Sequence, residues 1–229
     1  MANPAVNSVL LAEIRLGLAE RCDPVRAAGA QAYMKSSIPS LGVSVPEVRR
    51  LAKAVADAHP FESLEQLKDT VLELWRNATF REERYAAIDL TGLRLAAREP
   101  PMLPVYEEII RSGAWWDFVD GVSERIGTLL QADRRTMTVL LRTWSRDSDF
   151  WIRRASITSQ LKARAHTDTG LLSDVIEANL ADPEFFIRKA IGWALREYAK
   201  TDPDWVLTFV TKHGGDISPL SRREALKNI

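Results

Sequence analysis

Indole and carboxylate side chains lie next to one another in the hexapeptide Trp115-Trp116-Asp117-Phe118-Val119-Asp120. On a helix, Trp116 and Asp120 are four residues apart and therefore share one face. Two interpretations fit this pattern. The large rings can seal an interface between packed helices, with Asp120 and Arg154 forming a structural salt bridge. Alternatively, the aromatic and charged groups can line a groove that binds a ligand.

Asp120 also belongs to a polar row that recurs along the chain. A small residue returns at spacings of 35, 34 and 35 residues, at Ala86, Gly121, Ala155 and Ala190. The residue before each of them is polar, which gives the row Tyr85, Asp120, Arg154 and Lys189. Tryptophans border this row at Trp151 and Trp193. A period of about 35 residues matches two helices plus turns, so the row should line one concave side of a helical solenoid.

The elements that would carry this row are amphipathic helices, because apolar residues recur at helical spacing through most of the chain. The clearest segments are Val6–Glu20, Leu64–Arg76, Phe80–Ala97, Trp116–Gln131, Phe150–Leu161 and Phe185–Lys200. Helix starts are predicted where Asp precedes Pro, since Asp caps free N–H groups and Pro fits the first helical position. These starts are Asp23, Asp182 and Asp202. Alternating β-branched stretches and linkers are absent, so the sequence predicts an all-α fold and one domain over residues 1–229.

A second cluster is the loop rich in Gly, Pro and Ser that follows Tyr33 and leads to a helix start at Ser44. The free N–H groups of a helix N-terminus, together with nearby hydroxyls, can hold a phosphate. However, Ser44 and Glu47 have the spacing of a capping box, and an ordinary connector is the simpler interpretation.

Composition narrows the classes of function. The chain has 31 basic and 31 acidic side chains, so any surface that binds a polyanion must be a local patch. Basic doublets could supply such a patch, at Arg49-Arg50, Arg134-Arg135, Arg153-Arg154, Arg188-Lys189 and Arg222-Arg223. The three histidines and the single cysteine show no metal-ligand spacing, and no apolar run is long enough for a membrane span. We therefore expect a cytoplasmic protein (nucleoid-associated if the source is prokaryotic) without a metal, a cofactor or a membrane.

Several motifs together resemble the AlkD-like DNA alkylation repair glycosylases, a family built from HEAT-like helical repeats. The resemblance runs from about Tyr33 to the C-terminus. It rests on Tyr33-Met34-Lys35 with Leu41-Gly42, Arg81-Glu82 with Tyr85-Ala86-Ala87, Trp115-Trp116-Asp117 with Val119-Asp120, Arg154-Ala155, Glu184 to Lys200, and Leu220 to Ala225. It implies a right-handed α-solenoid that is curved, with a concave face that binds DNA.

The resemblance also implies roles for individual residues. Asp120 corresponds to the catalytic carboxylate of the family, and Trp116 and Trp193 to its two groove tryptophans. Arg154 corresponds to the groove arginine, and Tyr33 to the tyrosine near the lesion. Contacts with the DNA backbone are expected at Lys35, Ser44, Tyr85, Trp151, Arg188 and Lys189.

The implied activity is hydrolysis of the N-glycosidic bond of N3- or N7-alkylated purines, such as 3-methyladenine and 7-methylguanine, in duplex DNA. The enzyme would be a monofunctional glycosylase and a monomer, and would use no deep pocket for a flipped base. The main alternative is a helical-repeat module that binds DNA or a protein without chemistry. Such a module has no need for an acid between two tryptophans, so Asp120 favours the enzyme.

Overall fold

The computed structural model describes residues 6–229, and in that range it contains thirteen α-helices and three short 3-10 helices but no strand. The all-α fold predicted from the sequence is confirmed. The α-helices are α1 Ser8–Glu20, α2 Pro24–Met34, α3 Val45–Ala58, α4 Leu64–Arg76, α5 Arg81–Leu90, α6 Leu103–Gly113, α7 Trp116–Ala132, α8 Arg134–Trp144, α9 Phe150–Thr158, α10 Thr169–Glu177, α11 Phe185–Ala199, α12 Pro203–Lys212 and α13 Pro219–Ala225. Within the described range, none of the helices combines the length and the apolar character that a membrane span requires.

Packing divides the chain into two compact units, Met1–Val105 and Tyr106–Ile229. In the first unit, α3 packs against α1 and α5, and α5 also packs against α4. The core of this unit contains fully buried side chains from α1 and α4, among them Leu10, Ile14, Leu67 and Leu74. Helix α2 differs from its neighbours because it buries none of its residues. The single domain predicted over the whole chain stays a prediction.

The second unit is a series of helical hairpins in two layers. Helices α7, α9, α11 and α13 pack against one another in chain order, while α8 and α10 pack against each other and against α9. The four helices of the first layer begin at residues 116, 150, 185 and 219, spaced 34, 35 and 34 residues apart. This is the arrangement of a helical-repeat solenoid, and the repeat found in the sequence is confirmed.

Helices in this layer approach each other closely at glycine. A Cβ atom on Gly127 of α7 would lie 2.3 Å from the carbonyl oxygen of Ser159. A Cβ atom on Gly192 of α11 would lie 2.5 Å from the Cβ atom of Glu224 in α13. Both distances are shorter than any real contact, so neither position has room for a side chain.

One predicted helix start is wrong. Helix α11 begins at Phe185 with Glu184 as its N-cap, and not at the Asp182-Pro183 pair. The Asp182 carboxylate accepts hydrogen bonds from the Glu184 backbone N–H at 2.8 Å and from Arg153 Nη2 at 2.7 Å. The Asp182 carboxylate thus stabilises a turn and pairs with a base of the preceding repeat, and does not cap α11. The other two Asp-Pro starts are confirmed, at Asp23 and Asp202.

The segment Phe80–Ala97, predicted as one helix, is also corrected. Helix α5 ends at Leu90, and a separate 3-10 helix covers Arg94–Ala96. The Thr91 hydroxyl donates to the Ile88 carbonyl at 2.6 Å, which satisfies an acceptor that a longer helix would have used.

Candidate functional site

The centre of the candidate site is an ion pair between neighbouring repeats of the second unit. Asp120 is the fifth residue of α7, and Arg154 is the fifth residue of α9. Arg154 donates from Nε to Asp120 Oδ1 at 2.9 Å and from Nη2 to Asp120 Oδ2 at 2.8 Å. The side chains are 16% exposed for Asp120 and 6% exposed for Arg154. The salt bridge that the sequence suggested is therefore present, and it is bidentate and largely buried.

The third donor of Arg154 is also engaged, because Nη1 donates to the Phe186 carbonyl at 2.7 Å. The guanidinium thus connects α9 with both α7 and α11. A phosphate contact through Arg154, implied by the family resemblance, would have to use the second N–H of Nη1 or Nη2, on a side chain that is only 6% exposed.

Opposing effects act on the pKa of Asp120. Burial raises the pKa of this carboxyl above its ordinary value, and the nearby Asp117 adds to the rise. The hydrogen bonds and the positive charge of Arg154 lower it. Because a guanidinium stays protonated in proteins, the bidentate contact favours the ionised carboxylate at neutral pH.

Aromatic rings pack beside this ion pair. Trp115 lies 6.1 Å from Trp151 and 5.6 Å from Phe186, measured between ring centroids, and Trp151 lies 4.9 Å from Phe186. Trp151 is only 5% exposed, and its expected contact with the DNA backbone stays a prediction. It fills the interface between repeats, as the structural interpretation of these rings suggested.

The two tryptophans expected in the groove are placed differently from Trp151. Trp116 is the first residue of α7, one turn before Asp120, and it is partly exposed. Trp193 lies in the middle of α11 and is partly exposed as well. Both rings therefore keep surface through which they could touch a ligand.

The polar row continues one repeat further than the sequence analysis carried it. Lys189, the fifth residue of α11, lies 3.2 Å from Glu224 of α13, measured from Nζ to Oε1. Sequence reasoning missed Glu224. The signal was available, because a further step of 35 residues from Ala190 reaches Ala225, which is fully buried and follows Glu224.

The neighbouring Arg188 keeps an unused donor. Its Nε atom is buried and has no hydrogen-bond partner within residues 6–229, while its backbone carbonyl accepts from the Ser221 hydroxyl at 2.8 Å. The expected contact of Arg188 with a DNA phosphate stays a prediction.

Most basic doublets are less available for binding a polyanion than the sequence suggested. Four of the five have at least one member paired with a carboxylate, in the pairs Arg49–Asp89, Arg134–Asp168, Arg153–Asp182, Arg154–Asp120 and Lys189–Glu224. The fifth doublet, Arg222 and Arg223, is exposed. Ion pairs with acidic side chains therefore occupy much of the positive charge that these doublets carry.

Predicted residues of the first unit form a separate set. Tyr33 is 74% exposed near the end of α2, and Lys35 caps that helix in a left-handed conformation with a φ of 48°. Tyr85 is the fifth residue of α5, and its hydroxyl accepts from Arg81 Nε at 2.9 Å. Their roles at DNA stay predictions.

The helix N-terminus at Ser44 is closed by its own chain. Both the backbone N–H and the hydroxyl of Ser44 donate to the Glu47 carboxylate, which also accepts from Arg26. These bonds, the Ser44 hydroxyl first, lower the pKa of Glu47 to about 2. The capping-box connector is confirmed, and a carboxylate already occupies the place where a phosphate was considered. A DNA contact by Ser44 would have to displace Glu47.

Within residues 6–229, no three His, Cys, Asp or Glu side chains come together as metal ligands. The Asp120 carboxylate instead has Arg154 as its charged partner.

Comparison with known families decides the relationship of this chain. Residues 14–229 match the family model described as DNA alkylation repair enzyme. The chain belongs to this family. No curated protein sequence matches it significantly.

One solved structure agrees with membership in the DNA alkylation repair enzyme family. A protein from Enterococcus faecalis, described as a predicted DNA alkylation repair enzyme, aligns with a TM-score of 0.80 and 30% identity over 91% of this chain and 97% of that chain. Protein smu.31 from Streptococcus mutans aligns with a TM-score of 0.61 and 16% identity over 81% of this chain and 92% of that chain, and shows the fold alone. The alkylpurine DNA glycosylase AlkC of Pseudomonas fluorescens, bound to DNA with an abasic site analogue, aligns with a TM-score of 0.47 and 16% identity over 99% of this chain and 65% of that chain, too weakly to carry an argument.

Proposed function

We propose that this member of the DNA alkylation repair enzyme family is a monofunctional glycosylase. It would hydrolyse the N-glycosidic bond of N3- or N7-alkylated purines in duplex DNA. Alkylation at these nitrogens makes the base cationic, so the base leaves easily and needs no general acid. The difficult part of the reaction is the positive charge that develops on the sugar as the bond from C1′ to the base nitrogen breaks.

The observation that carries the proposal is the Asp120 carboxylate, which Arg154 holds by two hydrogen bonds in a largely buried setting. Each carboxylate oxygen can accept more than one hydrogen bond, so both retain capacity for a further partner. A fixed negative charge that needs no reorganisation during the reaction stabilises a cationic transition state most effectively. In this mechanism Asp120 faces the sugar and orients the water that attacks C1′.

The tryptophans Trp116 and Trp193 would support the same charge. The faces of indole rings carry negative electrostatic potential and attract cations. Both residues are partly exposed. They would pack against the sugar and phosphate at the lesion while the alkylated base stays largely in the helical stack. Bound in this way, the base would not have to rotate into a deep pocket, which is the step that most glycosylases use.

One observation favours a second candidate, a repeat protein that binds DNA or a protein without catalysis. Both Asp120 oxygens already accept from Arg154, as they would in a purely structural pair. The same geometry thus serves either role, and removal of the charge on Asp120 separates them.

The decisive experiment incubates the purified protein with duplex DNA carrying 7-methylguanine or 3-methyladenine and measures free base by chromatography. We expect release of the alkylated base from the wild-type reaction and none from undamaged DNA. Binding to duplex DNA without any base release would refute the glycosylase and support the binding module.

A further inference from the structure

Glu224, the residue that extends the polar row, contacts two cations of α11. Its Oε1 atom lies 3.2 Å from Lys189 Nζ, and its Oε2 atom accepts from Arg196 Nη1 at 2.7 Å. The exposed fractions of the side chains are 16% for Glu224 and 39% for Lys189. Lys189 therefore has surface through which it could reach another anion.

The helix spacing explains why one carboxylate reaches both bases. Lys189, Gly192 and Arg196 follow one another at intervals of three and four residues and lie on one face of α11. Gly192 has no side chain, so α13 rests on that face with the Glu224 Cβ atom directly over the glycine. The carboxylate then extends toward a base on either side.

This cluster borders the groove that the proposed function requires. Trp193 follows Gly192 immediately, and Lys189 precedes Trp193 by one helical turn. Two cations beside a lesion-binding ring would bind any duplex by attracting its phosphates, whether or not a base is damaged. Glu224 opposes that attraction at this point of the surface.

The ionised state of Glu224 is consistent with this role. The hydrogen bond from Lys189, together with the charges of Lys189 and Arg196, lowers the pKa of Glu224 below its ordinary value. The Glu224 carboxylate is therefore ionised when the protein binds DNA at neutral pH.

We propose that Glu224 is a specificity-determining residue that limits the affinity of this surface for undamaged duplex DNA by pairing Lys189 and Arg196. The inference rests on the DNA binding in the proposed function, although not on the excision step. Low affinity for undamaged DNA matters because such sites vastly outnumber lesions and compete for the protein. A phosphate of undamaged DNA must compete with Glu224 for Lys189, and a weak non-specific contact competes poorly with this ion pair.

The test compares Glu224→Gln with wild type on undamaged duplex DNA over a series of salt concentrations. Each additional phosphate contact makes the slope of log K against log salt steeper by about 0.9. Release of one or two cations should therefore steepen the slope by about 0.9 to 1.8, and tighten binding at 0.1 M salt by roughly tenfold per contact. Excision by Glu224→Gln should also become more sensitive to inhibition by undamaged competitor DNA.

Glu177→Gln is the matched control. Glu177 of α10 also contacts two basic side chains, Lys212 at 3.3 Å and His213 at 3.1 Å, so its substitution makes the same change in charge outside the polar row. We expect the Glu177 variant to bind undamaged DNA like wild type. Equal binding by the Glu224→Gln and Glu177→Gln variants would overturn the inference.

Two further variants separate charge from packing. Glu224→Asp shortens the side chain but keeps a negative charge beside Lys189 and Arg196, and should keep most of the wild-type salt slope. In the double variant Glu224→Gln with Lys189→Gln, the slope of log K against log salt should be about 0.9 less steep than in Glu224→Gln alone, because one phosphate contact is lost. A Glu224→Asp slope as steep as that of Glu224→Gln would show that packing, and not charge, is responsible, and would refute the proposal.

The outcome is independent of the glycosylase assay. Tighter binding by Glu224→Gln without base release from wild type would support this inference and reject the proposed chemistry. Base release from wild type with an unchanged Glu224→Gln slope would do the opposite.

Discussion

The substitution Asp120→Asn separates catalysis from structure at the centre of the site. Asparagine keeps the size and shape of the side chain and can still accept one hydrogen bond from Arg154, but it carries no charge. If the carboxylate stabilises a cationic sugar, the chemical step slows while the fold persists. If the pair with Arg154 is only structural, stability, binding and activity fall together.

The magnitude follows from the charge. Two unit charges about 4 Å apart at an effective dielectric constant of about 20 interact by roughly 4 kcal/mol. At about 1.4 kcal/mol per decade, this corresponds to a factor on the order of 10³ in rate. Arg154 already neutralises part of the Asp120 charge in the structure, so we expect a loss of about 10² to 10³ in the excision rate.

The structural alternative has its own magnitude. Breaking a buried ion pair costs about 3–5 kcal/mol because the remaining charge stays buried without a partner. For a chain of this size, such a cost lowers the melting temperature by about 6–20 °C. A loss of this size in melting temperature, with the excision rate per folded molecule unchanged, would favour the binding interpretation.

The assay is single-turnover excision on methylated duplex DNA, with melting curves and DNA affinity measured on the same preparations. Asp182→Asn is the matched control, because Asp182 forms a similarly buried pair with Arg153 at 2.7 Å, outside the polar row. Both substitutions should lower the melting temperature, but only Asp120→Asn should slow excision, and its affinity for DNA should hold or rise slightly. Excision that is unchanged in Asp120→Asn, or lowered equally in Asp182→Asn, would refute the catalytic assignment.

Four other predictions follow from the same structure. Binding to duplex DNA should weaken as salt increases, with a slope of log K against log salt of about −0.9 per phosphate contacted. An affinity that does not change with salt would contradict the proposed basic DNA-binding surface. Burial raises the pKa of Asp120, and only the ionised carboxylate stabilises a cation. The excision rate should therefore decline on acidification, with a midpoint above the ordinary aspartate pKa of about 3.9. The Asp120→Asn variant should not show this decline. Base release should persist in EDTA, and activity that requires added zinc or magnesium would reveal a metal site outside the proposed chemistry. Gly127→Ala should lower the free energy of unfolding by about 1–3 kcal/mol through its clash with Ser159, whereas Gly29→Ala on the open surface of α2 should raise it by about 0.5–1 kcal/mol, as thermal or urea denaturation would measure.

The repeat was readable from the sequence because it depends on local rules. Small residues recur where helices of the second unit pack, and the helices that carry Asp120, Arg154 and Lys189 begin at the spacing that this recurrence predicted. The bidentate pair of Asp120 and Arg154 could be anticipated for the same reason, since equivalent positions of adjacent repeats face each other.

Details that depend on several partners at once were not readable. Asp182 resembles an N-cap in sequence, but Arg153 of the preceding repeat takes its carboxylate. Trp151 borders the polar row in sequence, but the rings of Trp115 and Phe186 cover it. In each case a contact with another part of the fold overrides the role that the local sequence pattern predicts. Such a contact cannot be derived from the local pattern of a single sequence.

The order of charges along the row connects the site with its proposed task. Between α7 and α13 the row reads Asp120, Arg154, Lys189 and Glu224, with two cations in the middle and a carboxylate at each end. Each carboxylate pairs with the adjacent base, so the row is neutral without DNA. A phosphate that contacts Lys189 would compete with Glu224, while Arg154 continues to hold the Asp120 carboxylate in place. On the proposed mechanism, one arrangement would therefore serve both roles, because the structural ion pair with Arg154 fixes the charge that stabilises the sugar cation.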